Sequence, residues 1–88
     1  MTERIFTIKN RLGLHARPAA LFVQEASRHK SSVVVVKDGL EVNGKSVMGL
    51  MLLAAESGSK LKVKADGPDE ILALDGLQKI FDRKFDEE

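Results

Sequence analysis

Residues 60 to 66 read KLKVKAD, and this stretch decides the architecture of the chain. Its side chains alternate strictly between apolar and charged, which is the pattern of a β-strand with one buried face and one face in water. Three apolar side chains would face the core and three lysines the solvent, namely Leu61, Val63 and Ala65 against Lys60, Lys62 and Lys64. A sheet with one wet face indicates antiparallel strands.

Two further stretches have β character. Residues 31–42, SSVVVVKDGLEV, predict a strand, a tight turn and another strand, because four successive valines favour β structure. Asp38-Gly39 is a two-residue hairpin turn of the type that accepts positive φ. A first strand is predicted at Ile5–Ile8, before the chain is broken by Asn10 and a glycine.

Three segments show helical spacing. The first begins near Ala16, with Pro18 in its first turn, where the missing N–H does no harm. The second has Ser46 as its N-cap and Gly58 just beyond its end. The third begins at GPDE, residues 67–70, where Pro68 lies near the first helical position and two acids suit the helix dipole. The apolar stripes of the first and third helices are Ala16, Ala19, Ala20, Val23 and Ala26, and Leu74, Leu77 and Phe81.

The element order β-α-β-β-α-β-α predicts an α+β fold. We expect an open-faced two-layer sandwich, in which a four-stranded antiparallel sheet carries three helices on one face. A length of 88 residues fits a single domain, residues 1–88.

The composition excludes several classes of protein. With 43% apolar and 31% charged residues the chain can bury one modest core, so its functional groups should lie on the surface. The net charge of +1 argues against a dedicated nucleic-acid binder. The absence of cysteine removes disulfides and thiolate metal sites and fits a cytoplasmic location. The N-terminus, MTERIFTIKN, predicts neither a signal peptide nor a membrane span. The C-terminal FDEE is expected to be a frayed acidic tail.

The stretch GLHARPAA, residues 13–20, carries the strongest candidate site. If a helix begins near Ala16, His15 stands at its N-terminal edge, where unpaired backbone N–H groups and the helix dipole attract phosphate. Arg17 adds a fork of donors that suits phosphate oxygens. An imidazole, with an ordinary pKa of about 6.5, offers a neutral nucleophilic nitrogen near pH 7. Together these groups would hold a phosphoryl group on the histidine.

The alternative for His15 is a histidine that merely forms a hydrogen bond near a helix end. The sequence around it, Gly-x-His-x-Arg-Pro, favours the functional interpretation. His29, in SRHKSS, lacks that context. We interpret His29 as a solvated residue that favours the C-terminus of the first helix.

Ser46 in NGKSVMGLM could be only an N-cap, which needs no further function. The helix after it, however, has almost no polar face, and a small sheet cannot bury all of its apolar residues. Exposed apolar side chains in a cluster suggest a partner surface, and methionines suit several partners. A phosphate on Ser46 would place charge beside this surface. The three lysines of residues 60–66 could bind phosphate, but a solvated sheet face is the better explanation.

GLHARPAALFVQ resembles the active-site signature of the histidine-containing phosphocarrier proteins, HPr, of the bacterial phosphoenolpyruvate-dependent phosphotransferase system. GKSVMGLMLLAAESG resembles the regulatory-serine region of the same family, and the likeness covers essentially the whole chain. The resemblance implies that His15 carries the phosphoryl group on Nδ1. It implies that Arg17 and the backbone amides of Ala16 and Arg17 bind the phosphate, and that Pro18 shapes the turn.

The resemblance also implies the partners. Enzyme I would be the donor, enzyme IIA domains the acceptors, and an ATP-dependent HPr kinase/phosphorylase would modify Ser46, with transcriptional regulators as further partners. The chain would be a monomeric stoichiometric carrier rather than an enzyme, with no cofactor and no metal. The implied docking surface comprises Ala20, Val47, Met48 and Met51. The ending KFDEE resembles the nitrogen-related branch of the family more than the sugar-transport branch, and both branches stay open.

Other classes fit less well. RNA-recognition domains share part of the element order but need aromatic residues on the open sheet face, and this chain has no Trp or Tyr. A small metal chaperone would want cysteine ligands. A hydrolase with His15 as general base would need a pocket and a second catalytic group beside the histidine.

Overall fold

The computed structural model describes residues 1–87, along which strands and helices follow in the predicted order. The strands are β1 (Thr2–Thr7), β2 (Ser32–Lys37), β3 (Leu40–Asn43) and β4 (Lys60–Asp66). The helices are α1 (Ala16–Ser27), α2 (Val47–Leu52) and α3 (Glu70–Asp82), and a short turn at Lys84–Asp86 follows α3. No helix in this part of the chain is long and apolar enough to cross a bilayer.

The sheet is antiparallel throughout, in the order β1-β4-β2-β3, which confirms the predicted fold class. On β4 the apolar residues Leu61, Val63 and Ala65 are fully buried beneath the helices. Lys62 is exposed on the opposite face, and Lys64 is half-buried with its Nζ 3.5 Å from Glu41. The alternation of residues 60–66 therefore separates the core from the wet face of the sheet.

Strand pairing in the sheet determines the hairpin turn and the bounds of β1. Asp38 and Gly39 have φ angles of 51° and 83°, as the predicted hairpin turn between β2 and β3 requires. β1 spans Thr2–Thr7 rather than Ile5–Ile8, because its whole length pairs with β4. Ile8, just beyond the strand, is still buried.

Four phenylalanines form the centre of the core. Phe81 of α3 stacks on Phe6 of β1 with ring centroids 4.7 Å apart. It meets Phe22 of α1 at 6.1 Å and Phe85 at 4.9 Å, both edge-on. All four rings lie on the helix side of the sheet and are at most 1% exposed, so the open face of the sheet carries no aromatic side chain.

α2 is shorter than predicted. It ends at Leu52, well before Gly58. The chain then turns through Ala54, whose φ is 49°, so that the carbonyl of Ala55 accepts the backbone amide of Leu14 at 2.9 Å. A tertiary hydrogen bond therefore ends the helix where local propensity would have continued it.

The other two helices differ in detail from prediction. In α1, Ala16 is exposed, and the buried residues are Pro18, Ala19, Phe22 and Ala26. α3 begins at Glu70 after the N-cap Asp69, so Pro68 precedes the cap instead of lying near the first helical position. The predicted stripe of α3, Leu74, Leu77 and Phe81, is buried.

The C-terminal residues correct a prediction. They are not a frayed tail up to residue 87, because Phe85 is only 1% exposed and Glu87 is half-buried. Lys84, Phe85 and Asp86 have φ angles of 55°, 56° and 59°, a left-handed run without glycine. Burial of the Phe85 ring against Phe81 compensates for this backbone strain.

Candidate functional site

His15 is the N-cap residue of α1. Its backbone is extended, with φ −84° and ψ −171°, and its carbonyl accepts the first helical hydrogen bond from Ala19 at 3.0 Å. Its side chain is 37% exposed, enough for a partner to reach the ring. The predicted helix start near Ala16 is therefore confirmed, and His15 stands at the N-terminal edge of α1.

The loop before His15 is fixed by one glycine and one buried asparagine. Gly13 has a φ of 76°, and a Cβ atom at this position would lie 2.4 Å from the carbonyl oxygen of Ala55. Only glycine can pass this close to the neighbouring loop. The Asn10 side chain is fully buried and donates through Nδ2 to the carbonyl of Gly13 at 2.7 Å. These contacts set where the chain enters α1 and so where His15 points.

The start of α1 presents two backbone donors. The first N–H groups of a helix have no acceptor within the helix, and here they belong to Ala16 and Arg17. Pro18, the third residue of α1, has no N–H group and is buried. The helix end beside His15 therefore offers a pair of amides, with the positive end of the helix dipole behind them.

Arg17 is exposed and lines a surface cavity of about 250 Å³ together with Arg11, Leu12, Asp86 and Glu87. Two arginines thus border a shallow cavity between the start of α1 and the C-terminal turn. Guanidinium donors match phosphate oxygens in geometry and charge. The sequence singled out Arg17, but it gave no sign that Arg11 lines the same cavity.

Glu87 is the residue near His15 that sequence reasoning missed. The Nε2 atom of His15 lies 2.9 Å from Oε2 and 3.2 Å from Oε1 of this carboxylate. Asn10 Nδ2 lies 3.0 Å from the same Oε1 atom. No local pattern links residue 87 to residue 15, since the contact depends on the left-handed turn after α3.

A second groove connects His15 to the apolar helix α2. It has a volume of about 260 Å³ and is lined by Leu12, Leu14, His15, Met51, Ala54, Ala55 and Glu56. Met51 is 45% exposed and Met48 is 80% exposed, whereas Ala20 and Val47 are half-buried. Two leucines outside the predicted surface are also exposed, Leu12 at 67% and Leu52 at 72% of their area. The structure therefore brings His15 and Met51 to one groove and adds Leu12 to the apolar surface.

Ser46 is the N-cap of α2. Its Oγ accepts a hydrogen bond from the backbone N–H of Gly49 at 3.0 Å. The residue is half-buried, and it directly precedes the half-buried Val47 and the exposed Met48. The predicted capping role is confirmed by this contact.

His29 corrects a prediction, because its side chain is only 16% exposed and is not solvated. Its Nε2 atom lies 3.0 Å from Oε2 of Glu25, and its Nδ1 atom lies 3.5 Å from Oδ2 of Asp69. The hydrogen bond with His29 is the main reason that the pKa of Glu25 lies below its ordinary value. The spacing of four residues from Glu25 on a helix could have revealed this pair. His29 links α1 to the start of α3.

The arrangement around His15 suits a carrier of a phosphoryl group. A half-exposed imidazole lies at a helix end that offers two amides, and Arg17 of the same helix end lines a cavity that also includes Glu87, the carboxylate in contact with the ring. Within residues 1–87 no group of three or more His, Asp or Glu side chains is placed to hold a metal ion.

Comparison with known proteins defines the family. The family model described as "PTS HPr component phosphorylation site" matches residues 2–83. The chain therefore belongs to the HPr family of phosphocarrier proteins of the phosphotransferase system, which confirms the resemblance read from the sequence. Proteins of this family are phosphorelay carriers that work with the other components of that system.

Individual relatives agree over the full length. The chain is 48% identical to the phosphocarrier protein HPr of Treponema pallidum, over 100% of both chains. Its structure is similar to that of HPr-C-His from Thermoanaerobacter tengcongensis, with a TM-score of 0.95, 49% identity and coverage of 100% of this chain and 99% of the other. An HPr dimer from the same organism matches with a TM-score of 0.77, 48% identity and coverage of 97% and 98%. Because a relative is described as a dimer, the expected monomer stays a prediction.

Proposed function

We propose that His15 accepts a phosphoryl group on Nδ1 from phosphorylated enzyme I and passes it to an enzyme IIA domain. The observation that carries this proposal is the place of the His15 ring, half-exposed at the N-cap of α1 and next to the amides of Ala16 and Arg17. Phosphate oxygens are stabilised by such amides and by the helix dipole. The Arg17 guanidinium supplies further donors at the same end of the helix.

The transfer needs no group beyond those present. The lone pair of Nδ1 attacks phosphorus, while the bond between phosphorus and its donor atom in enzyme I breaks and leaves its electron pair on the donor. The amides of Ala16 and Arg17 and the Arg17 side chain stabilise the charge on the phosphoryl oxygens during this step. A carrier of this kind is consumed and regenerated stoichiometrically, and it needs an accessible ring rather than a deep pocket.

We further propose that Ser46 is a regulatory phosphorylation site for an HPr kinase/phosphorylase. A phosphate at this N-cap would lie next to Met48, which is 80% exposed, and would place negative charge beside an apolar surface that must lose water on docking. The docking surface for enzyme I and enzyme IIA would comprise Ala20, Val47, Met48 and Met51. The family resemblance adds transcriptional regulators as partners and a cytoplasmic location.

Labelled phosphoenolpyruvate tests the carrier role. Incubation with enzyme I should give one acid-labile, base-stable phosphoryl group per chain, as phosphohistidine requires. His15→Ala should take up no label and keep its fold. His29→Gln is the matched control, since His29 is the only other histidine in the sequence, and it should accept label normally. Full labelling of His15→Ala would contradict the proposal.

The arginine can be tested in the same assay. Arg17→Ala should slow transfer without preventing it, because the amides of Ala16 and Arg17 remain. Arg17→Lys should recover only part of the loss, because an ammonium lacks the planar fork of donors. Arg28→Ala, which removes an exposed arginine paired with Glu25, is the control. Equal rates for all four proteins would exclude Arg17 from the mechanism.

The acceptor can be identified by competition. Phosphorylated protein is offered enzyme IIA domains of the sugar-transport type and of the nitrogen-related type in separate reactions. Preferential loss of label to one type assigns the branch of the system. Retention of label with both types would contradict the acceptor half of the proposal.

A further inference from the structure

The carboxylate of Glu87 meets the one ring nitrogen of His15 that the proposed transfer does not use. Both of its oxygens lie within 3.2 Å of Nε2. A carboxylate can only accept hydrogen bonds, so the contact requires a proton on Nε2. In the neutral ring, Nδ1 then carries the lone pair. The contact therefore selects the tautomer that nucleophilic attack through Nδ1 needs.

Glu87 is held in place from two sides. Its side chain is only 18% exposed, and its Oε1 atom also accepts from Nδ2 of the buried Asn10 at 3.0 Å. On the chain side, Phe85 is anchored in the core, and the left-handed run at Lys84–Asp86 directs the next residue back towards α1. Backbone strain maintained by core packing is a feature of sites where a side chain must be aimed.

We propose that Glu87 is a positioning residue for phosphoryl transfer, which rests on the proposed role of His15. Its carboxylate keeps the proton on Nε2, fixes the plane of the ring, and balances the positive charge of the ring once Nδ1 is phosphorylated. Carboxylates that orient catalytic histidines fix the tautomer and the ring position in the same way.

The positive charge of the phosphorylated ring follows from the bonds made and broken in the transfer. When Nδ1 forms its bond to phosphorus, Nε2 keeps its proton, so the ring becomes a phosphorylated imidazolium. When an acceptor attacks the phosphorus, the electrons of the N–P bond return to Nδ1 and the neutral ring with its proton on Nε2 is restored. Glu87 faces the ring in both states and stabilises the cationic one.

The experiment combines two readouts on full-length protein. The ¹⁵N chemical shifts of the two ring nitrogens of unphosphorylated His15 report the tautomer. The rate constant of phosphoryl acceptance from enzyme I reports function. The variants are Glu87→Ala and Glu87→Gln, with Asp82→Asn as matched control. Asp82 is the last residue of α3 and carries the same charge, but its carboxylate pairs with Lys9 and lies outside the cavity that Arg17 lines.

The wild type and Asp82→Asn should show the Nε2–H tautomer and equal rates. Glu87→Ala should give a mixture of tautomers and lose about tenfold in rate, the worth of a charge-assisted hydrogen bond at a partly exposed site. Glu87→Gln keeps an acceptor without the charge, so the tautomer should persist and the rate should fall by about threefold.

Unchanged ring shifts in Glu87→Ala would overturn the proposal, even if the variant unfolded more easily, because a simple tether would act on stability alone. Equal rates for Glu87→Ala and Asp82→Asn would overturn it as well. The ring shifts are measured without any transfer. A failure of His15 as phosphoryl acceptor would therefore appear in the labelling assay and not in this spectrum.

Discussion

Replacement of Phe85 by alanine tests whether the C-terminal turn is part of the folded core. The ring is 1% exposed and packs edge-on against Phe81 at 4.9 Å, and Phe81 in turn stacks on Phe6. In a rigid core, a Phe→Ala substitution costs about 3–5 kcal/mol of unfolding free energy. This value assumes that the surrounding chain stays in place and leaves a cavity.

Phe85 lies near the end of the chain, so the segment after α3 can detach instead. Detachment releases three left-handed residues, each of which costs roughly 1 kcal/mol when it is not glycine. About 3 kcal/mol of the cavity cost is therefore recovered, and the expected loss in Phe85→Ala is about 0–2 kcal/mol. The detached segment should also free Glu87 from His15.

Urea unfolding of the wild type, Phe85→Ala and Phe85→Leu measures the loss. Leucine fills most of the volume, so it should cost less than about 1.5 kcal/mol and keep the segment attached. Amide hydrogen exchange of Glu87 should accelerate in the alanine variant alone. A loss of the full 3–5 kcal/mol with unchanged exchange would show that the segment does not detach. A loss under about 0.5 kcal/mol with unchanged exchange would show that the ring is not part of the core.

Three further predictions concern backbone and charge. Gly13→Ala should lose at least about 2 kcal/mol of unfolding free energy, because the residue has a φ of 76° and its new Cβ would lie 2.4 Å from the carbonyl oxygen of Ala55. An unchanged stability would contradict this close approach. Lys84 has a φ of 55°, so Lys84→Gly should leave the free energy of unfolding unchanged or raise it. Lys79→Gly, within α3, should lower it by about 1 kcal/mol. Equal losses in the two variants would refute the strain at Lys84. The hydrogen bond from the Ser31 hydroxyl is the main reason that the pKa of Asp69 lies below its ordinary value of about 3.9. The stability that this carboxylate contributes should therefore be complete above that ordinary pKa and be lost as the pH falls below it. Unfolding of the wild type and Asp69→Asn between pH 7 and pH 2 should show a converging difference, and a constant difference would be the contrary result.

The sequence predicted those parts of the fold in which local pattern and tertiary structure agree. The alternation in residues 60–66 places the core and the wet face of the sheet correctly, and the Asp38-Gly39 turn has the φ angles that its residue types favour. His15 could be placed at a helix end because Pro18 and the following apolar spacing mark the start of α1. In each case a few neighbouring residues contain the whole signal.

The predictions from sequence fail where contacts between distant parts of the chain determine the local structure. α2 ends at Leu52 because the loop after it must reach Leu14, and nothing between Leu52 and Gly58 marks this stop. KFDEE has the composition of a solvated tail, and its left-handed angles fall on residues that do not favour them. Only the burial of Phe85 among the other aromatic rings explains this turn, and that burial cannot be read from a local window.

The exposure of His15 explains why its neighbours matter. Under the proposed function, two larger enzymes must reach this ring in turn, so close packing cannot orient it, and 37% of this side chain faces solvent. Its orientation must then come from backbone placement and hydrogen bonds. Gly13 fixes the approach of the chain, Asn10 joins that loop to the C-terminal turn, and Glu87 holds Nε2. Nδ1 is the ring nitrogen that this arrangement leaves without a proton, and it is the atom on which the proposed transfer depends.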